Sequence, residues 1–583
     1  MCGIVARYRY SCNIVNDNFM VKALESMKHR GPDGFGSLDI SPELEFGHHR
    51  LAIIGPDNGE QPMVDNETGV VLTFNGEIYN YIELRKTLIS KGYVFLTNCD
   101  TEVLLKSYIE YGIDCIQKFN GMFSFVLWDP RSKDLYAVRD RLGIKPLYYY
   151  HKSGKLIVAS ELKTILVDND VDHGIGSDLL YEYLVFGFTA GKNHLISSVK
   201  QLRPGEYMHI NAKKQFLIKS YWALENQIEL IHNENDVLEE LDAKLKESVK
   251  YRLRADVPLA IVLSGGVDSS LISHYAEEMV SGLTAYSLRV LEENYDETKY
   301  AKMVCANRDI NFCVVDIDGK NFADLLDEVI WYYDDPVLQT NTIGLYKLCQ
   351  KISSDGIKVL IGGEGADELF GGYGRHLETL RLVDAGQKEK ILYGRNEVSF
   401  DRISKFWSYK NNAFTERNDI KNRYAHLSHG QQILRNDQML YLTHLLQRPD
   451  RMGMACGIEM RVPFLDHNLV ELANSIDSSL RFNLNESKYL LKKLTARYLP
   501  HDLIYRDKLA FDTPIAESLA RGSMNEYFQD HINKNSAICE LFDLSQINAM
   551  MSDFKNGKKE LWRMLWQLLS LERFMKLFKC SFS

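Results

Sequence analysis

The apolar run Leu259-Ala260-Ile261-Val262-Leu263 leads straight into Ser264-Gly265-Gly266-Val267-Asp268-Ser269-Ser270, and a helical pattern begins at once. An unbroken apolar run of strand length leaves no face for water, so it reads as a central strand of a parallel sheet covered on both sides. The two glycines permit a tight turn and a close approach of backbone to a ligand. Hydroxyls and free N–H groups at a helix N-terminus suit an anion. Asp268 beside a phosphate calls for a cation between them, which points to Mg2+. Taken alone, Gly-Gly is equally consistent with an ordinary turn between strand and helix.

The flanking sequence supports the sheet. From about residue 236, strand-length apolar runs (Thr284–Val290, Phe312–Ile317, Lys358–Ile361) alternate with helical patterns (Ser269–Val280, Glu297–Asn307, Phe322–Tyr332, Thr342–Ser353). This alternation predicts a doubly wound parallel sheet. A second glycine-rich loop, Gly362-Gly363-Glu364-Gly365-Ala366-Asp367-Glu368-Leu369-Phe370-Gly371-Gly372-Tyr373, follows the last of these strands. Carboxylates at the carboxyl end of a parallel strand stand where such sheets bind ligands. Asp367 is therefore a candidate to share a metal with Asp268, and Glu364 a candidate base. Beyond about residue 375 the pattern is mainly helical.

The first 160 residues differ. Short strands are expected at Gly3–Tyr8, Glu45–Ile54, Val70–Phe74, Met122–Trp128, Leu135–Arg139, Leu147–Tyr150 and Lys155–Ala159, with helices at Met20–Lys28, Tyr81–Lys91 and Thr101–Tyr111. Runs of strands separated by helices fit sheets layered with helices. Residues 160–206 read as a helical and turn-rich tail, and the rise in polarity after Trp222 places a linker near 223–235.

Composition limits the function. A formal net charge of −10 argues against general nucleic-acid binding. The ten cysteines are scattered without a CxxC pair, which favours free thiols in a reducing compartment. The most apolar stretch, Leu561 to Phe578, is interrupted by Arg563, Glu572, Arg573 and Lys576, so a packed helix and not a membrane span is expected. The N-terminus lacks the basic and apolar regions of a signal peptide. These features together predict a cytoplasmic enzyme of small molecules.

Cys2 stands apart from the other cysteines. Removal of Met1 before a small residue would expose Cys2 as the N-terminus. Its α-amino group, with an ordinary pKa of roughly 7.7–8.0, would then serve as base for its own thiol.

Taken together, the motifs resemble the glutamine-hydrolysing asparagine synthetase family over nearly the whole chain. The matching stretches are Met1-Cys2-Gly3-Ile4, His29–Asp33, His49–Ile53, Gln61-Pro62, Phe74–Asn80, Asp100–Glu102 and Arg139–Tyr148. In the second half they are Ser264–Ser270, whose sequence is similar to the pyrophosphate loop of enzymes that split ATP into AMP and pyrophosphate, then Gly362–Tyr373, Arg451–Met454, Glu459–Asp466 and Ser487–Leu491. The resemblance implies an N-terminal-nucleophile αββα glutaminase over 2–222. It implies a doubly wound α/β adenylating synthetase with a helical C-terminal part over 236–578.

The roles it implies are specific. Cys2 would attack the glutamine amide, with the Asn75 side chain and the Gly76 N–H as oxyanion hole. Arg50 would pair with the glutamine α-carboxylate, Leu51 and Ile53 would line the cleft, and Glu77 and Asp100 would hold the α-ammonium. ATP would lie over Leu263, Val290 and Gly363 beside Gly362. Ser264, Gly265, Gly266, Asp268, Ser269 and Ser270 would hold its pyrophosphate, and Asp268 and Asp367 would bind Mg2+. Lys488 would stabilise charge as an acyl-adenylate forms, and Glu364 would help ammonia attack it. A homodimer and an internal ammonia passage are also implied.

Three stretches depart from the pattern: Asp334–Thr342, where the acceptor site is expected; Phe312–Val315, which lacks a nearby His; and Arg375–Arg448, which carries no assignable motif. The acceptor therefore stays open between aspartate and another carboxylate, such as a sugar acid. An inactive regulatory homologue is the alternative of another class; against it, every named catalytic position holds the expected residue type.

Overall fold

The computed structural model describes residues 2–12, 17–224, 230–291, 296–306, 308–318, 322–387, 414–506 and 515–582. The first 220 residues build two six-stranded antiparallel sheets. One runs in the order Lys200–Gln201, Tyr148–Lys152, Lys155–Ala159, Cys2–Arg9, Leu44–Arg50, Gly34–Ser41; the other runs Phe216–Ser220, Glu206–Ile210, Asp134–Arg139, Gly121–Asp129, Val71–Ile78, Met63–Val64. Strand alternation explains the layering. Ile4 and Ala6 face the second sheet and pack with Val71, Val126, Ala137 and Met208. Val5, between them, faces the helix Phe19–Ser26. Phe74, Phe123 and Phe125 point the other way, toward the helix Asp100–Tyr111. The result is the expected αββα sandwich.

Five strands of these two sheets escaped the sequence reading, among them the two-residue strands Met63–Val64 and Lys200–Gln201. Gly34–Ser41 is an edge strand with alternate exposure, and Glu206–Ile210 with Phe216–Ser220 closes the second sheet as a hairpin. Part of the expected linker, residues 225–229, lies outside the described residues. Ile231 bridges Ile476, and the helix Glu234–Arg252 starts inside the span assigned to the linker.

The second half holds a five-stranded parallel sheet, ordered Ile310–Ile317, Leu283–Val290, Leu259–Val262, Val359–Ile361, Glu459–Arg461. The chain builds outward on one side of Leu259–Val262 and then returns to the other side. Strand order reverses between Leu259–Val262 and Val359–Ile361, and a crevice opens at the carboxyl ends of strands at such a reversal. Both glycine-rich loops leave the sheet at that point. The edge strand Glu459–Arg461 was read only as motif. The apolar C-terminal stretch is the helix Trp562–Phe578, largely buried against the core. Among the described residues, no helix is long and apolar enough to cross a membrane.

Candidate active sites

The first site lies where the two antiparallel sheets meet. Cys2 opens its strand opposite Arg50, and its N–H donates to Oδ1 of Asn75 at 2.9 Å. Asn75 is fully buried in the strand Val71–Ile78, with Nδ2 reaching only toward Ser124 Oγ at 3.5 Å. Gly76 follows at φ +152°, where a Cβ would sit 2.1 Å from the Met122 carbonyl oxygen, so only glycine fits there. One small cleft is lined by Cys2, Arg50, Leu51, Ile53, Gly76, Glu77 and Asp100 together. It thus brings together every residue expected to hold glutamine except Asn75, which is tied to Cys2 from behind.

Burial dominates the electrostatics of this cleft. Burial pushes the Cys2 thiol up, while the positive amino terminus, the Leu51 N–H and Arg50 pull it down. Burial, with Glu459 and Asp100 nearby, pushes Glu77 well above the usual carboxylate range; Arg461 opposes this. Burial likewise lifts Asp100 to about 6, although its Oδ2 accepts the Ile78 N–H at 2.9 Å. A cation beside these two buried carboxylates would favour their ionised forms, as Arg461 does for Glu77. Arg50 donates to the carbonyls of Gly55, Pro56 and Asn58 at the lip of the cleft.

The second site is a cavity of about 610 Å3 at the carboxyl ends of the parallel strands. The helix Val267–Glu277 begins on Gly266, and the loop before it is held by Ser264 and Ser269, whose hydroxyls lie 3.1 Å apart. The two glycine loops touch: a Cβ on Gly363 would lie 3.2 Å from the Asp268 Cβ. Nζ of Lys488 reaches Asp268 Oδ2 at 2.5 Å and Asp367 Oδ1 at 2.6 Å, and the pair of carboxylates holds its pKa up against burial. Lys488 takes a left-handed φ of +53° to do so. Glu364 lies on the cavity wall with Oε2 buried and unpaired, and Arg448 sits 3.8 Å from its Oε1.

Seven of the ten expected ATP residues line this cavity, Leu263, Ser264, Gly266, Asp268, Ser269, Gly362 and Gly363, and with them the expected metal ligand Asp367 and the expected catalytic residues Glu364 and Lys488. Gly265, Ser270 and Val290 stand outside the lining. Gly265 supplies the turn at φ +69°, and Ser270 is buried inside its helix. The sequence reading missed Arg448, which donates to Asn341 Oδ1 at 3.0 Å, and Arg506, which donates to the Gly265 carbonyl at 3.1 Å. Arg448 ended the stretch without a motif, of which residues 388–413 lie outside the described residues. A cation flanking a familiar motif offers no pattern of its own. Of the divergent segment, Asn341 lines the cavity while Asp334 turns away to Lys163.

Among the described residues, no three His, Cys, Asp or Glu side chains cluster in a way that could hold a metal by themselves. Asp268 and Asp367 nonetheless converge on one point, the Lys488 ammonium. Two carboxylates completed by phosphate oxygens are a donor set that suits Mg2+.

A family model described as "Glutamine amidotransferase domain" matches residues 1–222, and one described as "Asparagine synthase" matches residues 240–576. The chain belongs to the asparagine synthase family. It is 30% identical to glutamine-hydrolyzing asparagine synthetase 1 of Bacillus subtilis, across 98% of this chain and 97% of that protein. It is 29% identical to synthetase 3 of the same organism, across 96% and 95%. Amidase chyE of Penicillium rubens is 28% identical across 84% of each chain. Membership in the asparagine synthase family makes the chain an ATP-dependent, glutamine-hydrolysing ligase.

Proposed function

We propose that the protein transfers ammonia from glutamine to an ATP-activated carboxylate, and that the carboxylate is the side chain of aspartate. The observation that carries this reading is the Asp268–Lys488–Asp367 constellation at the sheet's reversal point, in a chain whose Cys2 is held by Asn75 in a separate cleft.

With Met1 removed, the Cys2 nitrogen held by Asn75 is an α-amine able to take the thiol proton. The thiolate attacks the glutamine amide, and the α-ammonium returns its proton to the amide nitrogen as the C–N bond breaks, releasing ammonia and leaving the thioester. The Gly76 N–H and Asn75 Nδ2 stabilise the oxyanion, and water releases glutamate from the acyl-enzyme. Glu77 and Asp100 hold the substrate ammonium, and Arg50 its carboxylate. In the large cavity, the acceptor carboxylate attacks the α-phosphate of ATP, giving an acyl-adenylate and pyrophosphate. The Ser264–Ser270 loop and the N-terminus of the following helix hold the phosphates. Mg2+ between Asp268, Asp367 and the phosphates would offset their charge. Lys488 meets the charge that develops, and Glu364 takes a proton from ammonia as it displaces AMP.

The test is pyrophosphate release with ATP, Mg2+ and glutamine, with and without L-aspartate. Aspartate-dependent release with asparagine in the products supports the reading. Release indifferent to aspartate, with glutamine hydrolysis intact, replaces aspartate by another carboxylate. The divergence across Asp334–Thr342 makes sugar acids the next class to screen.

A further inference from the structure

We propose that Arg461 is a positioning residue that couples the glutamine cleft to the ATP cavity. The inference rests on the two-site reading above and goes beyond it. Arg461 is fully buried and belongs to the edge strand of the parallel sheet. Its main-chain carbonyl accepts the N–H of Gly362 at 2.9 Å, at the start of the loop that lines the ATP cavity. Its side chain runs the other way. Nε donates to Glu459 at 2.6 Å, and one terminal nitrogen donates to the carbonyls of Arg252 and Arg254 at 2.8 and 2.6 Å. The other terminal nitrogen, Nη2, makes no hydrogen bond and stops 3.6 Å from Oε1 of Glu77, on the wall of the glutamine cleft. One residue thus touches both sites, through its backbone on one side and its guanidinium on the other.

The contact that would switch is this 3.6 Å ion pair, which stands short of a hydrogen bond and can close to one. Burial, with Glu459 and Asp100 close by, disfavours ionisation of Glu77. A glutamine ammonium favours the ionised form, and the ionised carboxylate draws Nη2 into a charge-assisted bond. The guanidinium is rigid and its neighbours are close-packed, so the pull passes to the strand and to the Gly362 contact. Nucleotide binding at Gly362 and Gly363 biases the same contact from the other end. Linkage requires the two effects to be equal.

The experiment uses the full chain carrying Cys2→Ala, so that glutamine binds without reacting. Glutamine affinity is measured by calorimetry with and without ATP and Mg2+, and ATP affinity with and without glutamine. We expect each ligand to tighten the other by the same factor, about fivefold or more. Adding Arg461→Lys, which keeps charge but loses the planar fork, should bring the factor to about one while each ligand alone binds within about twofold. Glu459→Gln, which loosens the anchor of Nε, should lower the factor in the same direction and serves if Arg461→Lys does not fold. A factor of one in the Cys2→Ala parent, or full coupling retained in Arg461→Lys, overturns the role of Arg461. Failure of either ligand to bind the parent overturns the two-site reading beneath it.

Discussion

Asp100 is a carboxylate that burial lifts to about 6, which makes the glutamine cleft sensitive to pH in a fixed direction. A raised pKa means that Asp100 is protonated below about 6, and a protonated carboxyl cannot balance the substrate ammonium. Glutamine binding should therefore hold steady from about pH 8 to 7 and weaken as pH falls through about 6, approaching tenfold per unit. Calorimetry on Cys2→Ala reads this without interference from catalysis, and Asp100→Asn should flatten the profile. A dissociation constant unchanged down to about pH 5 would take Asp100 out of the site. Cys2→Ala itself should abolish glutamine-dependent synthesis and leave ammonia-dependent synthesis intact. Loss of both in a folded protein would contradict separate sites. Asp268→Asn should do the reverse, sparing glutamine hydrolysis and stopping ATP cleavage. Unchanged ATP cleavage would deny Asp268 its role.

At the scale of elements, what matters is how closely the strands approach. Gly76 lets the strand Val71–Ile78 pass the Met122 carbonyl, and the proposed mechanism gives its N–H to the oxyanion. Gly76→Ala should cost about 1–3 kcal/mol, from the positive φ and the displaced backbone. It should also suppress glutamine hydrolysis more than ammonia-dependent synthesis. Equal loss of the two would point to general unfolding, and calorimetry of the variant separates these outcomes. Elements such as the Leu259–Val262 strand and its loop were legible in the sequence, because an all-apolar run followed by Gly-Gly has few structural solutions. Gly34–Ser41 was not, since two glycines and an exposed Phe35 conceal its alternation. The same holds for Glu459–Arg461, where a short edge strand carries two charges that no periodicity marks as buried. Candidate residues within motifs were legible in the sequence, and the fold gathers most of them around two cavities. Arg448, Arg506 and the cleft contact of Arg461 required the fold, because each acts across the chain from its own neighbours.

At the scale of the whole molecule, the two halves meet through buried charge. Arg451, fully buried, lies 3.0 Å from Glu161 and 3.4 Å from Asp334, and its guanidinium faces the Tyr148 ring. Lys163 contacts the same two carboxylates at 2.6 and 2.8 Å, while Arg30 joins Glu161 at 3.1 Å to Asp450 at 3.0 Å. Glu161, Lys163 and Arg30 come from the first half; Asp334, Asp450 and Arg451 come from the second. Such a network adds little net stability over an apolar interface, but removing one member leaves a buried charge exposed to low dielectric. Arg451→Met should therefore destabilise the protein by about 3–5 kcal/mol, lower the melting temperature and impair glutamine-dependent synthesis. Adding Asp334→Asn should recover part of that loss, because it removes the excess negative charge left in the network, where Lys163 still pairs with Asp334, while keeping the side chain that accepts the Leu162 N–H at 2.8 Å. If the double variant melts no higher than the single one, lost packing around Tyr148 and not unpaired charge is what holds the halves together.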